Sequence, residues 1–371
     1  MTIQQMTIAR MNIIASKLLK ILSALLYVAL LILFTDFTAG YALDMYRNMQ
    51  KGSSDFSSIK KDLMAELTLV QSDTSINLYR WYSNKPNFRG NYIVTDPSGF
   101  RIDAENLSDE TKIGMFGGST TISIITDQNG TIPNLLSNIL TDYQVLNFGV
   151  GGYSTGSEIM TFVEALRAYP DMGAAIFFDG VNELARAKER VGEDDLLETY
   201  KLIGAPYFEG EYNALKKQKG LGFSVIDSNL YYIYKRIISK IQLSSKSVSS
   251  DEMLVDIANR YFSNLKVINA ICKEYEIQCF FVWQPSIFTL DERALSENEK
   301  IIKRDTPMKD YKDLTKIVLA DDRVSEFNLI DLSNSLDRKS SNIQLYYDWC
   351  HLSKEGNKFI AIALAKKLNN I

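Results

Sequence analysis

The sequence predicts a parallel α/β sheet with helices on both faces, and three observations lead there. Short apolar runs recur from Thr111 onward, unbroken rather than alternating, as strands buried on both faces must be. Segments with helical periodicity separate these runs, so strand and helix take turns. Each run is followed by glycine or small polar residues, where an open α/β sheet presents its ligands.

The strand candidates, in order, are Lys112–Phe116, Gln144–Phe148, Ala174–Phe178, Cys279–Trp283 and Phe327–Leu332. After the first comes a helix candidate over Thr131–Asp142, with Pro133 in its first turn, where the missing N–H is harmless. Further helices are expected over Ser154–Tyr169, Asp251–Tyr275 and Lys309–Asp322. Ser353 is placed to cap a last helix beginning at Lys354. The stretch 189–250 breaks the rhythm with Gly204, Pro206, Gly210, Gly220 and Gly222, then a cluster of Tyr231, Tyr232 and Tyr234. It reads as an insertion, with a lid as one possible use. No internal repeat is visible.

The N-terminus carries a different signal. Residues 1–35 contain no acid, and Arg10, Lys17 and Lys20 precede an uncharged run from Ile21 to Thr35. Basic residues ahead of an apolar run predict an N-in orientation, with everything later carried across a membrane. A helix over 13–35 would reach roughly 34 Å at 1.5 Å per residue, with the two lysines snorkelling. The expected organisation is a short cytoplasmic tail (1–12), a transmembrane signal anchor (13–35), a stalk and aromatic strap (36–103), and the α/β domain (104–371). Cleavage near Gly40-Tyr41-Ala42 and a buried helix of a cytosolic core are the competing readings. The first two readings both put the domain in an oxidising space, where at most one bridge can form among Cys272, Cys279 and Cys350.

Composition narrows the function. Net charge is −4 and no basic run stands out, which argues against a nucleic-acid partner. A single histidine and three cysteines, with no C-x-x-C, give no basis for a metal site.

The strand ends hold the chemistry. The five are followed by GGSTT (117–121), GVGGYST (149–155), DGVNE (179–183), QPS (284–286) and, at some distance, DWCH (348–351). Ser119 follows two glycines that permit a tight turn and a close approach of backbone to substrate. A serine hydroxyl needs a neighbouring base, and His351 is the one imidazole in the chain. Asp348, three residues earlier, is placed to fix the tautomer of that imidazole. A tetrahedral intermediate needs preorganised donors, which the Ser119 and Gly152 N–H groups and the Asn182 amide can supply. Cys350 could be a second nucleophile, though a buried or bridged thiol fits it better.

These four blocks resemble the SGNH (GDSL-like) family of serine esterases and lipases. The resemblance spans about Lys112 to the C-terminus. It assigns the nucleophile to Ser119, oxyanion donors to Gly152 in N-x-x-x-x-G and Asn182 in G-x-N, and the orienting acid and base to Asp348 and His351. It implies a three-layer, flavodoxin-like α/β/α fold with a five-stranded parallel sheet, and hydrolysis of O-acyl esters with no cofactor. It points to a divergent, membrane-anchored bacterial member. Combined with the expected location, it suggests an O-acetylated envelope or secreted polysaccharide as substrate. Acyl transfer to a sugar hydroxyl by the same triad, or a silent glycan-binding scaffold, are the alternatives. Two positions depart from the family pattern: Gly118 stands where GDS has aspartate, and Glu183 replaces the aspartate after the asparagine.

Overall fold

The computed structural model describes residues 61–72, 83–102, 107–108, 110–190, 250–336 and 343–368. All of them belong to the larger of two compact units, Ser53–Ala214 with Ser247–Ile371. Among the described residues the strands are β1 (Thr111–Gly117), β2 (Tyr143–Asn147), β3 (Met172–Asp179), β4 (Gln278–Trp283) and β5 (Ile330–Asp331). They form one sheet in the order β2-β1-β3-β4-β5, and every pairing is parallel. The expected five-stranded parallel sheet is therefore present. Its order reverses between β1 and β3, and an open α/β sheet has its crevice at such a reversal, beyond the strand carboxyl ends.

The helices are α1 (Lys61–Ser72), α2 (Ser119–Ile122), α3 (Ile132–Ser137), α4 (Thr155–Ala168), α5 (Val181–Arg190), α6 (Ser250–Glu274), α7 (Glu297–Asp305), α8 (Tyr311–Leu319), α9 (Arg323–Glu326) and α10 (Lys354–Lys367). They cover both faces of the sheet. On one face Phe116, Phe177, Phe281 and Trp283 pack against α4, α5, α6 and α8. On the other, Ile113, Met115, Ile176 and Val282 pack against α3, α7 and α10. Strands sandwiched this way cannot alternate polar and apolar residues, which is why their runs are unbroken. Phe116, Phe177 and Phe281 are in register across β1, β3 and β4, with ring centroids 5.0 and 5.6 Å apart. This buried aromatic row fixes the sheet beneath the crevice.

Several boundaries differ from expectation for local reasons. β5 has two residues rather than six, because Asn328 takes φ 49° and Phe327 turns into the core beside Phe262 and Phe281. α3 stops at Ser137, whose hydroxyl accepts the Val145 N–H at 2.7 Å and so serves β2. α7 was not anticipated; seven of its nine residues are charged or polar, so it carries little apolar periodicity. The last helix ends at Lys367.

The segment ahead of the sheet folds onto it. Leu63, Leu67 and Val70 of α1 cluster with Ile93 and Ile125. The Glu66 carboxylate accepts the N–H groups of Asn91, Tyr92 and Ile93 at 2.7, 2.9 and 3.1 Å. The expected tail and anchor (1–35), the part of the stalk up to residue 60, Arg80 and Trp81 of the strap, and residues 191–249 of the insertion lie outside the described residues. No helix among the described residues is long and apolar enough to cross a membrane.

Candidate active site

The crevice between β1 and β3 collects the residues the sequence singled out. β1 delivers Gly117 and Gly118, and Ser119 opens the four-residue α2. Ser123 ends that turn in the left-handed region at φ 55° and donates its N–H to the Ser119 carbonyl. The turn is held from outside by Arg101, which is 2% exposed. Its five N–H groups reach the carbonyls of Ile122, Ser123, Thr126 and Tyr92, and Gln128 Oε1, at 2.7–3.1 Å. Burial lowers the Arg101 pKa to about 10, against the pull of Asp127 and Glu66, so the group stays charged at neutral pH.

From 232 residues downstream, His351 Nε2 comes to 2.7 Å from Ser119 Oγ. Its Nδ1 lies 2.6 Å from Asp348 Oδ2. The other carboxylate oxygen of Asp348 accepts the backbone N–H groups of His351 and Cys350 at 2.7 and 2.9 Å. Asp348 thus closes a tight turn and orients the ring with one group. Burial opposes charge on His351, but the Asp348 charge and hydrogen bond outweigh it and raise the imidazole pKa. Burial likewise opposes charge on Asp348, yet His351 and the two N–H bonds hold its pKa below the usual carboxylate range.

Glu299 anchors this loop from below. It is buried in the capping box of α7, bonded to the Ser296 N–H and hydroxyl. Its other oxygen accepts the N–H groups of Leu345 and Tyr346 at 2.6 and 2.9 Å, just ahead of Asp348. A capping box is legible in S-x-x-E, but its second duty, to a chain 46 residues away, is not.

The other two blocks face the same crevice. Gly152 follows β2 at φ 77°, a conformation that strains any residue with a Cβ. Asn182 sits in the first turn of α5 after β3, and its Nδ2 donates to the Tyr153 carbonyl at 2.6 Å, leaving the amide a second N–H. A Cβ added at Gly118 would overlap Asn182 Nδ2. The first departure from the family pattern therefore has a steric cause. At the second, Glu183 is buried and its two carboxylate oxygens reach from α5 to the Thr155 and Gly180 N–H groups, both at 2.9 Å. Burial raises its pKa against the pull of those backbone bonds. Gln284, which the sequence placed at a strand end without a role, accepts the Thr120 hydroxyl at 2.7 Å and so braces the residue beside Ser119.

Cys350 is free and buried, with Sγ 3.7 Å from His351 Nδ1. Burial pushes its thiol pKa well up, and the Asp348 charge adds to the shift, so it stays protonated and is a poor nucleophile. Ligand atoms of Asp348, Cys350 and His351 lie within 4.8 Å of one another. A metal there would compete with the bonds both imidazole nitrogens already make, so the arrangement suits proton transfer rather than coordination. The other two cysteines form a disulfide, Cys272–Cys279, joining the end of α6 to β4.

Solved structures with a similar outline include a member of the lipolytic protein G-D-S-L family from Veillonella parvula, at 10% identity over 70% of this chain and 100% of its own, with a TM-score of 0.38. An acetyl xylan esterase aligns at 14% identity over 69% of this chain and 99% of its own, with a TM-score of 0.37. An acetylxylan esterase from Geobacillus stearothermophilus aligns at 12% identity over 70% and 94%, with a TM-score of 0.36. No protein-family model and no curated protein matches the chain. Likenesses at this level transfer neither a residue role nor a substrate, and the site stands on its own distances.

Proposed function

We propose that this chain is a serine hydrolase of O-acyl esters, with O-acetyl groups on an extracytoplasmic polysaccharide as the substrate class. One observation carries the reading: a serine hydroxyl, an imidazole and a carboxylate in unbroken hydrogen-bond contact at a strand-end crevice. His351 Nε2 takes the Ser119 proton as Oγ bonds to the ester carbonyl carbon. Asp348 holds the Nδ1 proton and steadies the imidazolium without taking that proton. The carbonyl oxygen becomes an oxyanion facing the N–H groups of Ser119 and Gly152 and the second N–H of Asn182. Collapse breaks the ester C–O bond, and His351 returns its proton to the leaving alcohol. Water, deprotonated by His351, then attacks the acyl-serine and releases the acid.

The expected location supports the substrate class. The acid-free N-terminus with its apolar run predicts export, and a Cys272–Cys279 bridge is what an oxidising compartment would sustain. Small acyl groups on envelope glycans are the esters such an enzyme meets there. Turnover of 4-nitrophenyl acetate by wild type and by Ser119→Ala tests the reaction class. Loss of about a thousandfold or more in kcat is expected for the variant, and equal turnover by both would refute the proposal.

A further inference from the structure

Helix α5 contributes more to the crevice than Asn182. One turn after Asn182, Arg186 Nε donates to the Gly152 carbonyl at 2.8 Å. Between them, Glu183 accepts the Thr155 N–H at 2.9 Å, and Asn182 itself holds the Tyr153 carbonyl at 2.6 Å. Three side chains of one helix therefore grip the backbone of one short stretch, the loop at Gly152 and Tyr153 and the first residue of α4, Thr155. That loop holds Gly152 in a left-handed backbone conformation, φ 77°, which glycine adopts but does not by itself enforce. Glu183 also accepts the Gly180 N–H, which ties the same loop to the end of β3, where α5 begins.

We infer that Arg186 and Glu183 are positioning residues, clamping the Gly152 loop to α5 so that the Gly152 and Asn182 donors keep a fixed separation. The inference rests on the esterase reading for its catalytic consequence, while the clamp itself is independent of it. The physical need is clear. A donor contributes in proportion to how well it is aimed before charge develops, and a glycine loop left to itself samples many aims. Neither residue reaches the reacting atoms in this account. Each acts through the peptide it holds.

The test uses the full-length chain and three variants: Arg186→Met, which removes the donor at similar length, Arg186→Lys, which restores one, and Glu183→Gln, which keeps the shape but turns one acceptor into a donor. Two readouts are taken, steady-state kinetics on 4-nitrophenyl acetate and amide hydrogen exchange over 149–155. Arg186→Met and Glu183→Gln are expected to lose about tenfold in kcat with KM within twofold of wild type. Exchange should rise in the loop and stay unchanged in the central strands, and Arg186→Lys should recover most of both. Unchanged loop exchange in Arg186→Met and Glu183→Gln overturns the clamp, whatever the kinetics. A rise in KM at constant kcat also overturns it, since that marks substrate contact. If wild type has no turnover, the esterase reading falls, and the exchange data still decide whether the clamp exists.

Discussion

The side-chain amide of Asn182 occupies the space that a Cβ at Gly118 would need, with the Tyr153 carbonyl close behind it. The loops that carry Ser119 and Tyr153 are packed so closely that only hydrogen fits at position 118. An aspartate there, as in the GDS pattern, would displace the end of the Asn182 side chain first, and the Tyr153 backbone carbonyl, 2.9 Å from the added Cβ, would have to give as well. Gly118→Asp should therefore fold with a lowered thermal midpoint. It should lose about a hundredfold or more in kcat on 4-nitrophenyl acetate, the scale of one missing oxyanion donor. An active Gly118→Asp enzyme would remove Asn182 from the proposed site.

Activity should follow the protonation of His351. The base form is the neutral imidazole, and Asp348 raises its pKa above the ordinary value of about 6.5. The rate should thus climb with pH through a single ionisation above 6.5. Stability should run the other way: the raised histidine contributes fully below its unfolded pKa and loses that contribution as pH rises through the folded one. The lowered Asp348 contributes above its unfolded pKa, about 3.9, and loses it as pH falls further. The pair therefore stabilises most between about pH 4 and 6.5. With one histidine in the sequence, an NMR titration of its ring protons measures this pKa without assignment. Its value should match the kinetic one.

Arg101, a buried charge, should matter for stability. Arg101→Met would remove the guanidinium from four backbone carbonyls; those of Tyr92 and Ser123 keep the Gln128 and Thr126 N–H groups, while those of Ile122 and Thr126 are left bare. Each buried acceptor left bare costs about 1–3 kcal/mol, less what water recovers. A loss of about 2 kcal/mol or more is expected in urea denaturation, with weakened turnover because the Ile122 and Ser123 carbonyls belong to the turn after Ser119.

The disulfide gives a prediction of a different kind. Cys272 and Cys279 close a loop seven residues in span, for which chain entropy gives about 2–3 kcal/mol. Paired Cys272→Ser and Cys279→Ser changes should lower stability by about that amount and leave kcat unaltered. Thiol counting on protein from the native compartment should find one free cysteine, Cys350.

Much of this site is legible in the sequence because its parts follow strands, and strand ends converge by topology. Ser119, Gly152 and Asn182 each sit within a few residues of an apolar run, and Asp348 fixes His351 through a local turn. What the sequence hides is support. Arg101 looks like one arginine among many, and nothing local shows that it satisfies carbonyls 21 to 25 residues away. Glu299 shows its capping box and conceals its hold on Leu345 and Tyr346. Arg186 lies on a helix face whose target exists only once β2 and β3 have placed their loops side by side. The strand expected over Phe327–Leu332 is longer than β5 because Phe327 is apolar for the sake of the core, not of an extended strand.

The most direct test of the account is covalent. The full-length chain is treated with a fluorophosphonate, digested and mapped by mass. A single phosphonylated residue is expected, Ser119, with labelling that slows by orders of magnitude in His351→Ala while the fold persists. Undiminished labelling in His351→Ala, or an adduct elsewhere with Ser119 untouched, would contradict it.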